Sequence, residues 1–305
     1  MERLDWSDGL AGQEGPLHLA LGVFDGVHEG HRAVIRSGLK LAGEDGGKVF
    51  VVTFSPHPIR VIAPAKAPSS LLATVDEKAE IFRAMGVDGM LVIRFDEEFA
   101  KTGAEEFVER LVQGNVASIS VGEDWRFGSG RQGDVGLLGR MGGEKGFRLQ
   151  AVAPVMWEGE RVSSTRIRQA IRDGSFGEVE KMLGRPYEVS GRVVEGRKLG
   201  RELGFPTANL RLGDLQVPKD GVWVVRVDGR QTGVANLGMR PTVDGDERLL
   251  EVHVFDFHGD LYGKILRVEF QQFLRGERKF DSLEELREQI SKDVGEARRI
   301  VSKAD

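Results

Sequence analysis

Two histidines stand three residues apart in the segment Gly22–His31, with a glycine between them. The segment reads GVFDGVHEGH, follows the apolar run Leu17–Leu21 and opens a stretch of helical periodicity. A helix N-terminus attracts anions, because its first N–H groups lack partners inside the helix and its dipole is positive there. Gly30 lets the backbone approach a ligand closely, and His28 and His31 share one face of the first turn. These features predict a binding corner for the phosphates of a nucleoside triphosphate.

Two other interpretations of such motifs fail on their spacing. The zinc motif His-Glu-x-x-His has one residue more between its histidines than His-Glu-Gly-His provides at positions 28–31. The segment Gly128–Gly133 matches G-x-G-x-x-G, but the acidic residue that a dinucleotide fold carries about 20 residues further on is missing. Taken by themselves, His28 and His31 are also compatible with a helix cap that binds no ligand.

Composition limits the class of protein. With 305 residues the chain has the length of about two ordinary domains. Its net charge of −5 gives no support for a nucleic-acid scaffold, and the lack of cysteine excludes disulfides and thiolate sites. The start of the chain is too charged for a signal peptide, and no apolar run approaches the roughly 20 residues that span a bilayer. We therefore expect a soluble cytoplasmic protein that binds neither nucleic acid nor membrane, with its oligomeric state left open.

Short β-rich runs alternate with helical patterns over residues 1–184. We expect buried strands at Leu17–Leu21, Lys48–Phe54, Gly89–Phe95, Ser118–Val121 and Phe147–Val152. Helical patterns lie near 31–42, 76–86, 98–113, 134–141, 164–173 and 175–183. The second of these begins with a capping-box signature at Thr74–Glu77. Such alternation predicts βαβ units and a parallel sheet that is covered on both faces.

The pattern changes after Gly184-Arg185-Pro186, so we place a second domain at residues 185–305. Strand patterns there follow one another closely, at 187–195, 221–228, 231–236, 249–257 and 265–273. An amphipathic helix follows Asp281-Ser282 and carries one apolar stripe, formed by Leu283, Leu286, Ile290 and Val294. These features predict a small antiparallel β-barrel with a C-terminal helix.

Three more segments of the first domain carry groups suited to a nucleotide site. Thr53–Pro58 (TFSPHP) and Val121–Gly128 (VGEDWRFG) leave the ends of predicted strands, where open α/β sheets bind their ligands. Ser163–Arg168 (SSTRIR) offers hydroxyls and two guanidiniums at a helix start, which suits a phosphate. Alone, this last segment is typical of an N-cap followed by a solvated basic face. Together with the others it predicts a second side of the nucleotide site.

The four segments GVFDGVHEGH, TFSPHP, VGEDWRFGSGRQGD and VSSTRIR resemble, in this order and spacing, the adenylyltransferase half of bacterial bifunctional riboflavin kinase/FAD synthetases. A similarity to the broader HxGH nucleotidyltransferase superfamily would rest on the first and last segments alone, and the middle two narrow the resemblance to the flavin branch. It implies a Rossmann-like α/β nucleotidyltransferase domain in which His28 and His31 are catalytic. The residues implied for ATP and its phosphates are Gly22, Phe24, Gly26, Gly30, Ser164, Thr165, Arg166 and Arg168. Those implied for the flavin are Phe54, Pro56, Asp124 and Arg126.

A glycine-rich basic segment at 196–209, GRKLGRELGFPTAN, marks the second domain. Its glycines, Gly200 and Gly204 among them, let backbone N–H groups wrap an anion, and its cations Arg197, Lys198 and Arg201 add charge. Thr207 and Asn209 supply neutral oxygens suited to a Mg²⁺ that arrives with phosphates. For the glycine and arginine part alone, a basic hairpin loop explains the pattern equally well. The sequence Pro-Thr-Ala-Asn weakens that alternative.

With VANLGMRPT, LEVHVFDF, LYGK and FLRGERKF, this segment is similar to the riboflavin kinase module from about residue 186 to 300. The similarity implies a six-stranded barrel in which Gly200 and Gly204 contact ATP. It also implies that Thr207 and Asn209 bind Mg²⁺ with ATP, and that Glu251 is the general base for the ribityl 5′-hydroxyl. The chain departs from the family pattern at Trp223, where tyrosine is common, and at Gly276. These departures concern loop packing.

The resemblance implies two ATP-dependent steps, from riboflavin to FMN and from FMN to FAD, with flavins as substrate and product. One alternative keeps the kinase but gives the first domain another acceptor, such as a small phosphorylated alcohol; TFSPHP and VGEDWRFG favour FMN instead. Another alternative is a flavin or nucleotide sensor without catalysis. The intact HxGH, SSTRIR, PTAN and Glu251 positions argue against it.

Overall fold

The computed structural model describes residues 1–7, 9–196, 199–242 and 245–302, and its contacts divide the chain into two compact units. Unit 1 is Met1–Arg166 and unit 2 is Ile167–Asp305. The predicted domain boundary at 184/185 lies further along the chain and stays a prediction.

Unit 1 is built on a parallel sheet. Its strands are β1 (Glu2–Asp5), β2 (Leu17–Leu21), β3 (Lys48–Ser55), β4 (Gly89–Arg94), β5 (Val116–Gly122) and β6 (Arg148–Val152). They lie in the order β1-β4-β3-β2-β5-β6, and every neighbouring pair is parallel. Helices connect them: α1 (Glu29–Asp45), α2 (Pro58–Ile62), α3 (Val75–Ala84), α4 (Ala104–Leu111) and α5 (Val135–Lys145). This is the parallel sheet that the alternation of patterns predicts, and it agrees with the Rossmann-like domain that the resemblance implies.

The sheet is buried on both faces because its central strands are apolar at successive positions. In β2, Leu17 and Leu19 join one hydrophobic cluster, whereas Ala20 joins the other, which also holds Ile35 and Phe82 from the helices. Alternate side chains of a strand point to opposite faces, so a continuous apolar run requires cover on both sides. The strand patterns therefore locate the core at the central strands, whereas the expectation of a buried strand at Phe147–Val152 is wrong, because β6 lies at the edge of the sheet and none of its residues is buried.

Local signals place several helix ends. Thr74 Oγ1 accepts the Glu77 N–H at 3.2 Å, and the Glu77 carboxylate accepts the Thr74 N–H at 2.7 Å, which completes the predicted capping box. The pattern at 98–113 is wrong as one helix, because Gly103 is the N-cap of α4 and a single 3₁₀ turn, Phe99–Lys101, precedes it.

Two elements of unit 1 escape the periodicity analysis. The edge strand β1 carries the sequence ERLD, which has no apolar run, and its pairing with β4 makes it a strand. A two-stranded hairpin follows β6 and consists of β7 (Met156–Trp157) and β8 (Glu160–Arg161). After it comes α6 (Ser164–Asp173), which contains the division between the units.

Unit 2 contains a closed antiparallel barrel. Its strands are β9 (Glu188–Val194), β10 (Ala208–Arg211), β11 (Gly221–Val227), β12 (Gln231–Thr242), β13 (Gly245–Val254) and β14 (Ile265–Arg275). The order around the barrel is β10-β13-β12-β11-β14-β9, and β9 pairs with β10 to close it. Helices α7 (Phe176–Leu183), α8 (Leu199–Glu202) and α9 (Leu283–Val301) complete the unit. The strand patterns miss β10, whose four residues are too few for a visible alternation.

The C-terminal helix packs on the barrel through most of the predicted stripe: Val294 packs against the barrel cluster, and Leu286 and Ile290 are half-buried. Leu283 is 57 % exposed, so its assignment to the buried stripe is wrong. Ala297 is fully buried against Val222 and Val224, and Asp293 is buried as well. The buried carboxylate is tolerated because it is paired, as described below.

Candidate active sites

His28 is the N-cap of α1, at the carboxyl end of β2. Its Nδ1 accepts the His31 N–H at 3.3 Å, and the two imidazoles stack with centroids 3.6 Å apart. Because that lone pair receives a backbone donor, a neutral His28 ring carries its proton on Nε2. The N-terminus of α1 thus presents an N–H donor together with the unpaired backbone donors of the first turn.

His31 is held in its neutral form. Burial lowers the pKa of His31 well below 6.5, and the nearby charges of His28, Lys78 and Arg161 lower it further. Its Nδ1 is enclosed without a hydrogen-bond partner among the described residues. At neutral pH the His31 ring is therefore uncharged and can take part only in hydrogen bonds and ring contacts.

The glycines of the loop between β2 and α1 are required by close packing. Gly26 has φ +80°, and a Cβ there would lie 2.8 Å from Leu72. A Cβ on Gly30 would lie 3.1 Å from the His28 ring, and the Gly22 N–H donates to the Val52 carbonyl at 3.1 Å. These glycines hold the loop in shape beneath any bound phosphate.

The predicted ATP residue Phe24 lies inside the protein rather than on the surface of the loop. Its ring is 1 % exposed and meets the His31 ring edge-on at 5.3 Å and the Phe82 ring at 5.8 Å. The side chain therefore supports the His31 imidazole from the core side. Its backbone remains part of the loop that we expect to contact ATP.

The SSTRIR segment meets the first motif. Ser164 Oγ donates to the Asp25 carbonyl at 2.9 Å, which ties the start of α6 to the loop before α1. Arg166 donates to the Trp157 carbonyl at 2.9 Å and stacks on the Trp157 ring at 4.8 Å. Thr165 is exposed. Arg168, two residues after Arg166 and within unit 2, is 7 % exposed. The structure thus brings Ser164 to the histidine loop and holds Arg166 on the β7–β8 hairpin.

The predicted flavin side contains two ion pairs. The Asp124 carboxylate accepts hydrogen bonds from both Nη atoms of Arg161, at 2.6 and 3.1 Å. These hydrogen bonds lower the pKa of Asp124. Arg126 donates to Asp134 at 2.6 Å. Sequence reasoning missed Arg161, which precedes the SSTRIR segment by a single valine, Val162.

The other two predicted flavin residues differ in exposure. Phe54 is 8 % exposed and packs edge-on against Phe95 at 5.8 Å, whereas Pro56 is exposed. Phe54 therefore shapes the core behind the end of β3, and only Pro56 offers its own surface. Both assignments to the flavin stay predictions.

Barrel strands, α8 and α9 line a cavity of about 630 Å³ in unit 2, and its lining includes the predicted kinase residues Gly200, Thr207, Asn209 and Glu251. Asn209 on β10, Glu251 on β13 and Asn236 on β12 are direct cross-strand neighbours. Thr207, two residues before Asn209, also lines this cavity, as does Gly200. Residues that are far apart in sequence thus form one polar row inside a pocket of the size that small substrates occupy.

The glycine-rich loop of unit 2 closes tightly around the Pro-Thr-Ala-Asn corner. The Phe205 N–H donates to the Gly200 carbonyl at 2.7 Å, and a Cβ on Gly200 would lie 3.2 Å from Thr207 Oγ1. Gly204 has φ +88°, which favours glycine. The predicted cations Arg197 and Lys198 lie outside the described residues.

Sequence reasoning missed a second carboxylate in the cavity. The Asn236 amide donates to Glu277 Oε1 at 3.1 Å, and Asn236 Oδ1 is buried without a partner among the described groups. Both side chains line the cavity with Glu251. The segments VANLGMRPT and FLRGERKF contain these residues, but only the barrel shows that they meet.

The donors at the Pro-Thr-Ala-Asn corner fit a metal that brings most of its ligands with it. No group of three or more histidine, cysteine or acidic side chains that could hold a metal occurs among the described residues. Thr207 and Asn209 offer neutral oxygens on the cavity wall. Mg²⁺ commonly binds through one or two protein groups and substrate phosphates, so these two residues suit Mg²⁺ delivered as MgATP.

Comparisons with known proteins agree with the division of the chain into two units. A family model described as FAD synthetase matches residues 12–166, and one described as riboflavin kinase matches residues 183–301. The bifunctional riboflavin kinase/FMN adenylyltransferase of Escherichia coli (strain K12) is 43% identical over 94% of this chain and 93% of its own length. The protein of the same name from Pseudomonas fluorescens is 43% identical over 92% of each chain.

A solved structure has the same fold along nearly the whole chain. The crystal structure of the macrolide-efflux protein from Streptococcus pneumoniae matches with a TM-score of 0.83 and 33% identity, over 96% of this chain and 97% of that chain. None of the helices in the described part of the present chain has the length and apolar character needed to cross a bilayer.

Proposed function

The chain belongs to the family of bifunctional riboflavin kinase/FMN adenylyltransferases, and from this premise we propose which of its residues carry the two reactions. It phosphorylates riboflavin with ATP to give FMN, and it adenylylates FMN with a second ATP to give FAD and pyrophosphate. The proposal assigns the first step to the cavity of unit 2 and the second to the histidine loop of unit 1.

In the kinase step Glu251 acts as the general base. It accepts the proton of the ribityl 5′-hydroxyl, whose oxygen attacks the γ-phosphorus of ATP while ADP leaves. Thr207 and Asn209 hold Mg²⁺, which when bound neutralises charge on the phosphates. Gly200 and Gly204 bring backbone close to the nucleotide. Support comes from the cross-strand register, which places Asn209 and Glu251 side by side on the cavity wall.

In the adenylyl step an FMN phosphate oxygen attacks the α-phosphorus of ATP and pyrophosphate leaves. A phosphate is already a nucleophile, so this step needs positioning and electrostatic stabilisation rather than a strong base. His28 and His31 donate hydrogen bonds to the ATP phosphates, and Arg166 and Arg168 supply positive charge. Asp124 and Arg126, with Phe54 and Pro56, form the flavin side.

One observation carries the assignment: the histidine pair and the kinase residues lie in separate compact units, each matched by its own family model. His28 and His31 belong to unit 1, whereas Thr207, Asn209 and Glu251 belong to unit 2. Each activity should therefore fail independently of the other.

The test uses two complementary variants of the full chain. Glu251→Ala should lose FMN formation from riboflavin while FAD formation from supplied FMN persists. His28→Ala combined with His31→Ala should accumulate FMN from riboflavin and form little FAD. Chromatographic separation of the flavins after incubation with MgATP measures both steps.

Each variant is the control for the other, because both proteins keep one working activity. Loss of both activities in Glu251→Ala would contradict the modular assignment. FAD formation at the wild-type rate in the double histidine variant would contradict the role proposed for the segment Gly22–His31. Chelation of Mg²⁺ should abolish FMN formation. No group of three or more histidine, cysteine or acidic side chains among the described residues could hold the ion without the phosphates of ATP, so a chelator should remove it.

We also place the enzyme in the cytoplasm, without a nucleic-acid or membrane partner. The net charge of −5 and the absence of cysteine support this placement. Its partners are then riboflavin, FMN and ATP.

A further inference from the structure

Lys78 on α3 is the one lysine whose side chain is buried within the described part of the chain, at 5 % exposure. Its Nζ donates to the Val23 carbonyl at 3.2 Å and to Thr53 Oγ1 at 3.3 Å. Thr53 Oγ1 in turn donates to the same Val23 carbonyl at 2.9 Å. The Lys78 ammonium of α3 and the Thr53 hydroxyl of β3 thus both donate to one carbonyl oxygen, which lies in the loop after β2.

This arrangement is costly to maintain. Burial lowers the pKa of Lys78 to about 8, although the negative charge of Asp25 opposes the shift. Asp25 is itself buried, and its Oδ1 accepts the Leu72 N–H at 2.8 Å. An apolar residue of similar volume at position 78 avoids the desolvation cost, so packing alone gives no reason for an ammonium here.

The backbone that Lys78 holds is strained. Phe24 follows Val23 directly and has φ 52°, and Val27 has φ 45°. Side chains other than glycine rarely adopt these left-handed values, which persist only where surrounding contacts enforce them. The Phe24 ring lies edge-on against His31 at 5.3 Å. A continuous set of contacts therefore leads from Lys78 through Val23 and Phe24 to the catalytic imidazole.

We propose that Lys78 is a positioning residue for adenylyl transfer: its ammonium fixes the Val23–Phe24 backbone against Thr53 and thereby sets the orientation of the histidine pair. Lys78 acts from beneath the loop, through the Val23 carbonyl and the Phe24 ring. The charged or titratable groups around His31 are His28, Lys78 and Arg161, with Asp25 facing Lys78.

The test compares Lys78→Met with Arg83→Met, which removes an exposed charge from the same helix. In Lys78→Met the kcat for FAD formation from FMN should fall about 10- to 100-fold, because small misplacements of catalytic groups cost rates of this order. The rate of FMN formation from riboflavin should stay within about twofold of wild type, since that chemistry belongs to unit 2. Arg83→Met should leave both rates near wild type.

A pH profile reports the charge of Lys78, whereas Thr53→Val reports its positioning role. Loss of the Lys78 charge removes one cause of the lowered His31 pKa, so the acid limb of the adenylyl-transfer profile in Lys78→Met should move to higher pH. Thr53→Val keeps that charge, so a loss of rate in this variant comes from the position of the Val23 carbonyl. Thr53→Val should lower the rate in the same direction, and the double variant should be no slower than Lys78→Met alone, because both side chains act on one carbonyl.

Adenylyl transfer in folded Lys78→Met at the rate of Arg83→Met would overturn the proposal, as would additive losses in the double variant. If Lys78→Met does not fold, Thr53→Val becomes the test of the positioning role. A wild-type kcat for adenylyl transfer in that variant rejects the proposal, and a lowered kcat with an unchanged rate of FMN formation supports it.

Discussion

At the residue scale, His28 combines a structural role with a chemical one. Ser, Thr, Asp and Asn are the common N-cap residues, and here an imidazole nitrogen accepts the backbone donor instead. The hydrogen bond orients the ring and fixes its proton on Nε2 when the ring is neutral. His31, stacked on it at 3.6 Å, is kept neutral by burial. The pair is therefore set up to donate hydrogen bonds at physiological pH.

The lowered pKa of His31 predicts a pH dependence of stability. The unfolded chain binds a proton at this histidine near pH 6.5, whereas the folded chain does so only at lower pH. The free energy of unfolding should therefore be unaffected by His31 above about pH 7 and should decline as the pH falls below about 6.5. His31→Gln should flatten this decline in urea unfolding monitored by tryptophan fluorescence.

Exposed His258 in unit 2 provides the matched control for loss of one imidazole. His258→Gln should keep the acid decline of the transition that Trp6, Trp125 and Trp157 report from unit 1. An unchanged decline in His31→Gln would show that burial of this ring does not govern the acid stability of unit 1.

At the element scale, two ion pairs join α9 to the barrel in different environments. Asp293 accepts from Arg275 Nη2 at 2.7 Å and from its Nε, and the side chains are 8% and 23% exposed respectively. Asp256 pairs with Arg298 at 2.8 Å, but both side chains are at least half exposed. Arg275 and Asp293 also line the cavity, so the first pair fixes the edge where Glu277 and Asn236 meet.

Asp293→Ala should destabilise unit 2 by about 3 kcal/mol, because it leaves a half-buried guanidinium without its partner. Asp256→Ala should have a much smaller effect, since water screens an exposed pair. Urea unfolding measures both. Asp293→Ala should also raise the KM for riboflavin and leave FAD formation from FMN unchanged. Equal stability losses in the two variants would contradict the distinction between the pairs.

At the scale of the whole molecule, helix α7, which precedes the barrel in the chain, packs against it and is part of unit 2. Phe176 on α7 stacks on Phe270 at 5.7 Å and meets Trp223 edge-on at the same distance. Trp223 is fully buried, and a Cβ on Gly174 would lie 2.8 Å from it. The large indole that replaces the expected tyrosine is thus accommodated by the segment before residue 185.

A fragment of residues 167–305 should therefore be more stable than one of residues 185–305, which lacks Phe176 and exposes Trp223. Thermal unfolding and riboflavin kinase activity of the two fragments measure the difference. In the longer fragment Phe176→Ala should cost about 2 kcal/mol, at the low end for a large-to-small change because the ring is only half-buried. Equal stability of the two fragments would favour the boundary at 184/185.

The sequence by itself determined the features that rest on local patterns. Continuous apolar runs placed the central strands of unit 1, the capping box placed α3, and motifs of adjacent residues identified both chemistries. Hydrophobic periodicity and capping act over a few residues, so one segment contains the whole signal.

Only the tertiary structure decided which distant residues meet. The edge strand β1 and the four-residue β10 exist through pairing with strands far along the chain. The contact of Lys78 with Val23, like that of Asn236 with Glu277, joins segments that no local pattern relates. Burial also places the Phe24 and Phe54 side chains in the core, while their ligand assignments stay predictions. Pairing and burial depend on the packing of the whole unit, so a linear pattern names the chemical groups while the folded core fixes their neighbours and their charge.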